Sequence, residues 1–157
     1  MPFQKFATAD AAARDALQYA GGLSGSENIE FAGAVCCEKC DGNQFYYPKV
    51  IAAGAGTVSS LQRNNANARC RQDKVVAIFH SHTPGPVHNG LSSDDKNASA
   101  ALRDASGPMQ AYAVFPNGTL ASYRGWDFVS LTPNAIPYTV FASKFRLGML
   151  READFVE

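Results

Sequence analysis

The alternation of apolar and polar positions divides the chain into short elements separated by polar turns. Residues 8–20 carry apolar positions at helical spacing, with Thr8 placed to cap the helix and Asp10 in its first turn. Gly21-Gly22 predicts the end of this helix. Its inward stripe comprises Ala12, Ala13, Ala16, Leu17 and Ala20.

Strand patterns begin at Glu30. EFAGAVCC and QFYYPKVIA predict two strands joined by EKCDGN, a loop with Asp-Gly turn chemistry. GAGTVSSLQRNNANARCRQD is polar and unpatterned, which predicts a surface excursion. The following KVVAIFH is apolar on both faces, which predicts a central strand in a covered sheet.

The second half of the chain predicts a helix, a hairpin and a helical tail. SSDDKNASAALRDAS has a serine cap, acids in its first turn and Gly107-Pro108 after its end. MQAYAVF and TLASYRG flank Pro-Asn-Gly, which predicts a hairpin. A helix-like stripe predicts a helical extension over about 138–157, formed by Phe141, Phe145, Met149 and Leu150. We therefore expect a single domain over 1–157, an α/β or α+β layered sandwich with a mixed central sheet flanked by helices.

Composition and charge exclude several classes of protein. The 157 residues are 46% hydrophobic and 18% charged, which suits one globular domain with a sizeable core. Lys plus Arg equals Asp plus Glu at 14 each, with no basic stripe, so we expect no nucleic-acid partner. No apolar stretch approaches the roughly 18 residues of a membrane span. Because Asp10, Arg14 and Asp15 interrupt the N-terminal apolar segment, we expect no signal peptide.

The four cysteines leave more than one interpretation open. Cys37 and Cys40 have the spacing of half a zinc knuckle, but only Cys36 and Cys70 remain as further ligands. Cys36 and Cys37 are adjacent, so on a strand they point to opposite faces and are poorly placed to share a metal. Disulfides and buried free thiols are both compatible with the sequence.

The candidate chemistry lies where the central strand ends. His80 and His82 are two residues apart on an extended segment, so both imidazoles point to the same side. Asp95 lies in the first turn of the next helix, where it can point back toward the strand. Two histidines and one carboxylate form a known catalytic zinc set that leaves a position for water. In the simpler interpretation, the histidines are polar residues at the end of a strand, and Asp95 is present only because the helix dipole favours an acid in the first turn.

The same residues resemble the signature of the JAMM (MPN+, JAB-like) zinc metalloproteases. That signature is a glutamate, then H-[ST]-H, a spacer, and S-x-x-D; here it corresponds to Glu30, HSH and SSDD. The chain is also similar to a bacterial JAB-like domain of unassigned function at the C-termini of Rhs-type polymorphic toxins. The shared patterns are ADAAARDAL, EFAG, DGNQFYYP, HSH, LSSDD and FPNGTLASYRG, within about 3–125. The spacer TPGPVHNGL has nine residues where JAMM enzymes usually have seven, so we expect a loop of different shape.

The resemblance implies a role for each residue. His80, His82 and Asp95 would bind Zn²⁺, Glu30 would be the general base, and Ser92 would donate to the oxyanion. Alternatives remain beside these: Glu27 for the base, Asp94 for the third ligand, Ser93 for the helix cap, and His88 as a spacer residue that faces substrate or solvent.

The resemblance also implies a fold and a setting. The fold would be the layered sandwich shared by JAMM enzymes and cytidine deaminases. The activity would be that of a metallopeptidase or isopeptidase, in an effector (toxin) domain of the type VI secretion kind, with a protein or peptide substrate and an immunity protein as partners. We expect a cytoplasmic location in the producing cell, or secretion as part of a larger effector. The alternatives are a non-catalytic JAMM-like binding module and a zinc hydrolase of another bond. A deaminase is disfavoured, because H-x-E and P-C-x-x-C are absent.

Overall fold

A computed structural model of the protein describes residues 4–42, 44–47, 50–53, 70, 73–85, 89–101, 103–104, 107–126 and 128–132. Two helices and nine strands lie in these ranges. The helices are α1 (Ala9–Glu27) and α2 (Ser93–Ala101). The strands are β1 (Glu30–Lys39), β2 (Gln44–Tyr46), β3 (Val50–Ala53), β4 (Lys74–Ser81), β5 (Arg103–Asp104), β6 (Gly107–Pro108), β7 (Gln110–Val114), β8 (Leu120–Arg124) and β9 (Phe128–Thr132).

Seven of the strands form one mixed sheet. Its order is β2-β1-β4-β7-β8-β9, and β3 also pairs with β1. β4 is antiparallel to β1 and parallel to β7. A parallel pair needs a crossover connection, and α2 lies within it. The expected mixed sheet combined with helices is confirmed, and β4 occupies the central position that its apolar faces predict.

The first helix begins where the sequence predicts and ends later. Thr8 caps α1, because its side chain accepts a hydrogen bond from the Ala11 N–H at 3.0 Å. The predicted inward stripe is buried throughout. The predicted stop at Gly21-Gly22 is wrong: the helix continues through both glycines, and Asn28 ends it in the left-handed conformation at φ 60°. Both glycines are buried, so tertiary packing offsets the roughly 1 kcal/mol that each costs in a helix.

Successive side chains of β4 enter two different cores. Phe79 packs in one apolar cluster with α1 residues such as Leu17. Ile78 packs in a second cluster with Met109 and Tyr123. Because strand side chains alternate between faces, His80 shares the face of Ile78, away from α1.

The second helix is attached through a buried serine. The Ser99 hydroxyl donates to the Met109 carbonyl at 2.7 Å and accepts from the Gly125 N–H at 2.6 Å. These bonds join α2 to the start of β7 and the end of β8. These two bonds therefore fix the position of α2 relative to β7 and β8.

The remaining elements agree in part with the sequence pattern. The hairpin around Pro-Asn-Gly is confirmed as β7 and β8. The strand predicted after the Asp-Gly turn is divided into β2 and β3, both antiparallel to β1. α2 ends at Ala101 rather than at residue 106, because Arg103–Asp104 pairs with Gly107–Pro108. β9 was not predicted.

Several predicted features lie outside the described residues. These are most of the polar excursion and the helical stripe over 138–157. Among the helices that the structure describes, none is both long and apolar enough to cross a membrane.

All four cysteines form disulfides. Cys36 pairs with Cys70 and Cys37 with Cys40. The adjacent cysteines of β1 thus have different partners, as expected if they point to opposite faces of a strand. This pairing selects disulfides over the free thiols and the structural zinc site that the sequence left open.

Candidate metal centre

The two histidines lie where β4 leaves the sheet. His80 is the penultimate residue of the strand, and His82 follows its end. The His82 N–H donates to the Val114 carbonyl of β7 at 3.1 Å, which keeps the chain extended beyond the strand. The two rings stack with their centroids 4.9 Å apart. Both side chains are buried, so they are directed into the molecule rather than into solvent.

The third residue comes from the start of α2. Ser92 precedes the helix, and its Oγ accepts from the Asp95 N–H at 3.1 Å. In return, Asp95 Oδ2 accepts from the Ser92 N–H at 2.8 Å. This reciprocal arrangement is a capping box, and it makes Ser92 rather than Ser93 the N-cap. It also holds the Asp95 carboxylate in a defined orientation in the first turn.

Side-chain size makes room for the site on the sheet. The residues paired across the strands with His80 are Ala32 on β1 and Ala113 on β7, and Ala113 pairs in turn with Ala121 on β8. This row of alanines leaves the space above the sheet to His80. The Phe115 ring contacts His82 edge-on, with 4.9 Å between the centroids, and covers that side of the group.

The three side chains meet at their polar atoms. Nε2 of His80 lies 3.0 Å from Asp95 Oδ1, and Nε2 of His82 lies 3.0 Å from Asp95 Oδ2. The two Nε2 atoms are also 3.0 Å apart. Each Nε2 carries at most one hydrogen, so hydrogen bonds can satisfy at most two of these three contacts while the carboxylate is ionised.

The carboxylate is strongly favoured in its ionised form. Burial by itself raises the pKa of Asp95, but the charge of His80 and hydrogen bonds from His80 and His82 outweigh it. The pKa of Asp95 is therefore held well below its usual value of 3.8. A proton on the carboxylate therefore does not account for the third of these contacts.

A metal ion would satisfy all three groups together. The ligand atoms lie within 4.8 Å of one another, and all three residues are buried. A tetrahedral ion with bonds of about 2.0–2.1 Å spaces its ligand atoms about 3.3 Å apart, close to the contacts in this group. His80, His82 and Asp95 can therefore hold a metal ion.

Register places Glu30 on the face of the metal centre. Ala32 pairs with His80, so Glu30, two residues earlier on β1, points to the same face one step further along. The side chain of Glu30 is partly buried. Glu27 is exposed in the last turn of α1, and α1 packs on the opposite face. Of the two glutamates that the sequence offers as a base, Glu30 therefore lies on the face of His80 and Glu27 on the side of α1.

Of the other predicted residues, Ser92 and Asp94 lie in the chain next to Asp95. Ser92 is exposed beside Asp95, and Asp94 precedes Asp95 in the backbone of the same turn. His88 lies outside the described residues. The spacer between His82 and Ser92 is bonded to the turn between β7 and β8, because Asn89 Oδ1 accepts a hydrogen bond from the Asn117 N–H at 3.0 Å.

One polar contact behind the sheet was not anticipated. Ser81, between the two histidines, contacts Ser24 of α1 with 2.5 Å between the hydroxyl oxygens. The Ser81 hydroxyl also accepts from the Phe31 N–H at 3.1 Å. A signal for Ser24 was present, because it continues the buried stripe four residues after Ala20. The predicted helix ended too early to include it.

A comparison of the chain with protein-family models gave no match, and no curated protein is significantly similar to it.

Proposed function

We propose that this protein is a zinc-dependent amide hydrolase of the JAMM type. The observation that carries the proposal is the buried convergence of His80, His82 and Asp95 at the carboxyl end of β4. Ligand sites of sheets with parallel strands commonly lie at such carboxyl ends. The position of Glu30 on the same face of the sheet supports the proposal, because it offers a candidate base on the side of the three ligands.

The chemistry of the donors favours zinc. Two imidazole nitrogens and one carboxylate oxygen form a common catalytic zinc set, and three protein ligands leave one position open. Zinc held there would supply Lewis acidity, which polarises a carbonyl and makes water a nucleophile near neutral pH. The capping box of Ser92 orients the Asp95 ligand, as an outer hydrogen-bond partner does in many metal sites.

Glu30 and Ser92 would act directly on the substrate and water. Glu30 is the general base that accepts a proton from the attacking water and returns it to the leaving amine. The Ser92 hydroxyl uses one lone pair to cap the helix, which leaves its hydrogen free to donate to the oxyanion. Capping and oxyanion stabilisation are therefore compatible roles for one hydroxyl.

We propose a peptide or isopeptide bond as the substrate and an effector domain as the setting. Both follow from the resemblance of HSH, SSDD and Glu30 to JAMM enzymes and toxin-associated JAB-like domains. Cell-wall peptide crosslinks and protein conjugates are the two substrate classes. Two disulfides support action outside the reducing cytosol, because disulfides persist mainly in oxidising compartments.

Metal analysis tests whether the protein binds zinc through the proposed ligands. Protein purified without added zinc should contain about one equivalent, and His80→Ala and Asp95→Ala should lose it. His88→Ala is the matched control, since it removes a histidine of the spacer and should keep the metal. A wild-type protein that stays metal-free after incubation with zinc would favour the non-catalytic binding module.

Activity is tested with a second pair of variants. Glu30→Gln should keep zinc but lose hydrolysis of isopeptide and cell-wall peptide substrates by several orders of magnitude, because the base is gone. Glu27→Gln makes the same change on the opposite side of the sheet and should remain active. Full activity of Glu30→Gln would remove Glu30 from the mechanism. Expression in a bacterium with and without an export signal then identifies the compartment in which the protein acts.

A further inference from the structure

Three elements meet at the hydroxyl of Ser81. Ser24 comes from α1, Phe31 from β1 and Ser81 from β4. The two serine oxygens are 2.5 Å apart, and the Phe31 N–H donates to Ser81 Oγ at 3.1 Å. Ser81 Oγ also lies 3.4 Å from the Phe31 carbonyl, to which it can donate. Both serines are fully buried.

The surroundings of this pair are apolar. Leu23, Phe31, Phe79 and Val114 belong to the core cluster on the α1 face of the sheet. Both hydroxyls avoid the cost of burial by hydrogen bonding, but two apolar side chains of similar shape would fill this position about as well. The two bonded serines are therefore not needed to fill the space, which points to a role for their hydrogen bonds.

The chain neighbours of these residues form the candidate centre. Ser81 lies between His80 and His82, and Phe31 directly follows Glu30. Because strand side chains alternate, Ser81 and Phe31 point toward α1 while His80 and Glu30 point to the opposite face. The serine contact therefore holds, on the α1 face of the sheet, the two backbone segments that carry the proposed base and the candidate ligands.

We infer that Ser81 is a positioning residue, held by Ser24, that sets the separation between Glu30 and the His80–His82 pair. This inference rests on the proposed function for its role in catalysis. A shift of Ser81 against the Phe31 peptide would move Glu30 relative to both imidazoles. Ser81 acts through the backbone, because its side chain points to the face opposite the candidate ligands.

Two measurements test the role of Ser81. The first is the dissociation constant for Co²⁺, obtained by competition with a chelator and followed by the visible spectrum of the bound ion. Ser81→Ala should bind Co²⁺ about tenfold more weakly with an altered spectrum, because the segment between the two candidate histidine ligands loses its hydrogen bonds to α1 and β1. Ser81→Thr keeps the hydroxyl and should restore both, and Ser24→Ala should lie between.

The second measurement needs no metal. Amide hydrogen exchange at Phe31 in the metal-free protein should accelerate in Ser81→Ala and return toward the wild-type rate in Ser81→Thr. Tyr47→Phe is the matched control, since the Tyr47 hydroxyl also bonds to α1 through Asp15, on the face of the sheet opposite His80. It should lower the melting temperature without changing the Co²⁺ spectrum or the exchange at Phe31.

The outcomes are distinguishable. Wild-type affinity and spectrum in Ser81→Ala, with only a lower melting temperature, would reduce Ser81 to a packing residue and overturn the inference while the proposed function stands. A wild-type protein that binds neither Co²⁺ nor Zn²⁺ would overturn the proposed function and, with it, the positioning role. Unchanged exchange at Phe31 in Ser81→Ala would show that the contact does not hold β1.

Discussion

Buried polar side chains are concentrated at one end of β4. Among the described residues, the buried polar or charged side chains are Ser24, His80, Ser81, His82, Asp95 and Ser99. All of these except Ser99 belong to the candidate metal centre or to the serine contact behind it. Burying polar groups is costly, so five of them at one strand end are better explained by a site than by stability alone.

Tyr112 gives a residue-scale prediction about pH. Burial and the negative charge of Asp10 raise the pKa of Tyr112 from 10.0 to about 12. The folded protein thus holds this proton more tightly than the unfolded chain, so its contribution to stability is complete below pH 10 and is lost as pH rises toward 12. Tyr112→Phe should flatten that decline, as measured by urea unfolding across the same pH range.

The comparison has an internal control. Burial also raises the pKa of Tyr123, so part of the decline should remain in Tyr112→Phe. Equal losses of unfolding free energy in the wild type and the variant would show that Tyr112 ionises alike in the folded and unfolded states.

At the scale of elements, the first turn of α2 combines a structural and a chemical task. The capping box satisfies backbone N–H groups that the helix start would otherwise leave unpaired. The same bonds place the Asp95 carboxylate against both histidines. The S-x-x-D spacing is therefore required by the cap as well as by the proposed metal ligand.

Two substitutions of Ser92 separate these tasks. Ser92→Ala should cost about 1 kcal/mol of folding stability, whereas Ser92→Gly should cost only a few tenths, because glycine is tolerated at an N-cap. Both remove the proposed oxyanion donor, so both should lower turnover by about 10²–10³-fold. Denaturant unfolding measures the first effect and steady-state kinetics the second. Turnover that follows stability, with Ser92→Gly nearly active, would assign Ser92 to capping alone.

At the scale of the whole molecule, one disulfide joins distant parts of the chain. Cys36 and Cys70 are both fully buried in the cluster on the face of the candidate metal centre. Cys36 also lies on β1, the strand that carries Glu30. The disulfide therefore joins the segment before β4 to the strand that begins with the proposed base.

Loss of this disulfide should destabilise the protein strongly. Cys36 and Cys70 are 34 residues apart, so closing this loop contributes about 3–4 kcal/mol in the chain-entropy model. Removing both cysteines by Cys36→Ala and Cys70→Ala should lower the free energy of unfolding by that amount. The pair Cys37→Ala and Cys40→Ala, which opens a loop of separation 3, is the control and should lose about 1–2 kcal/mol. Equal losses in the two pairs would contradict the loop-length argument.

Local patterns in the chain were sufficient for most elements and for the three residues of the candidate metal centre. Thr8 and Ser92 predict the starts of the two helices, because capping depends only on residues within one turn. Alternation along β4 places His80 and His82 on one side, since that depends only on the period of a strand. The class of a mixed sheet flanked by helices follows from the order of such elements.

Contacts between distant segments decided the rest. α1 continues through Gly21 and Gly22 because packing outweighs their low helix propensity, and Ser24 reaches Ser81 only as a result. The position of Glu30, rather than Glu27, on the face of His80 depends on the register of β1 against β4, and the pairing of Cys36 with Cys70 depends on a partner 34 residues away. Sequence periodicity reports which way a side chain points, but only the folded chain decides which segments are brought together.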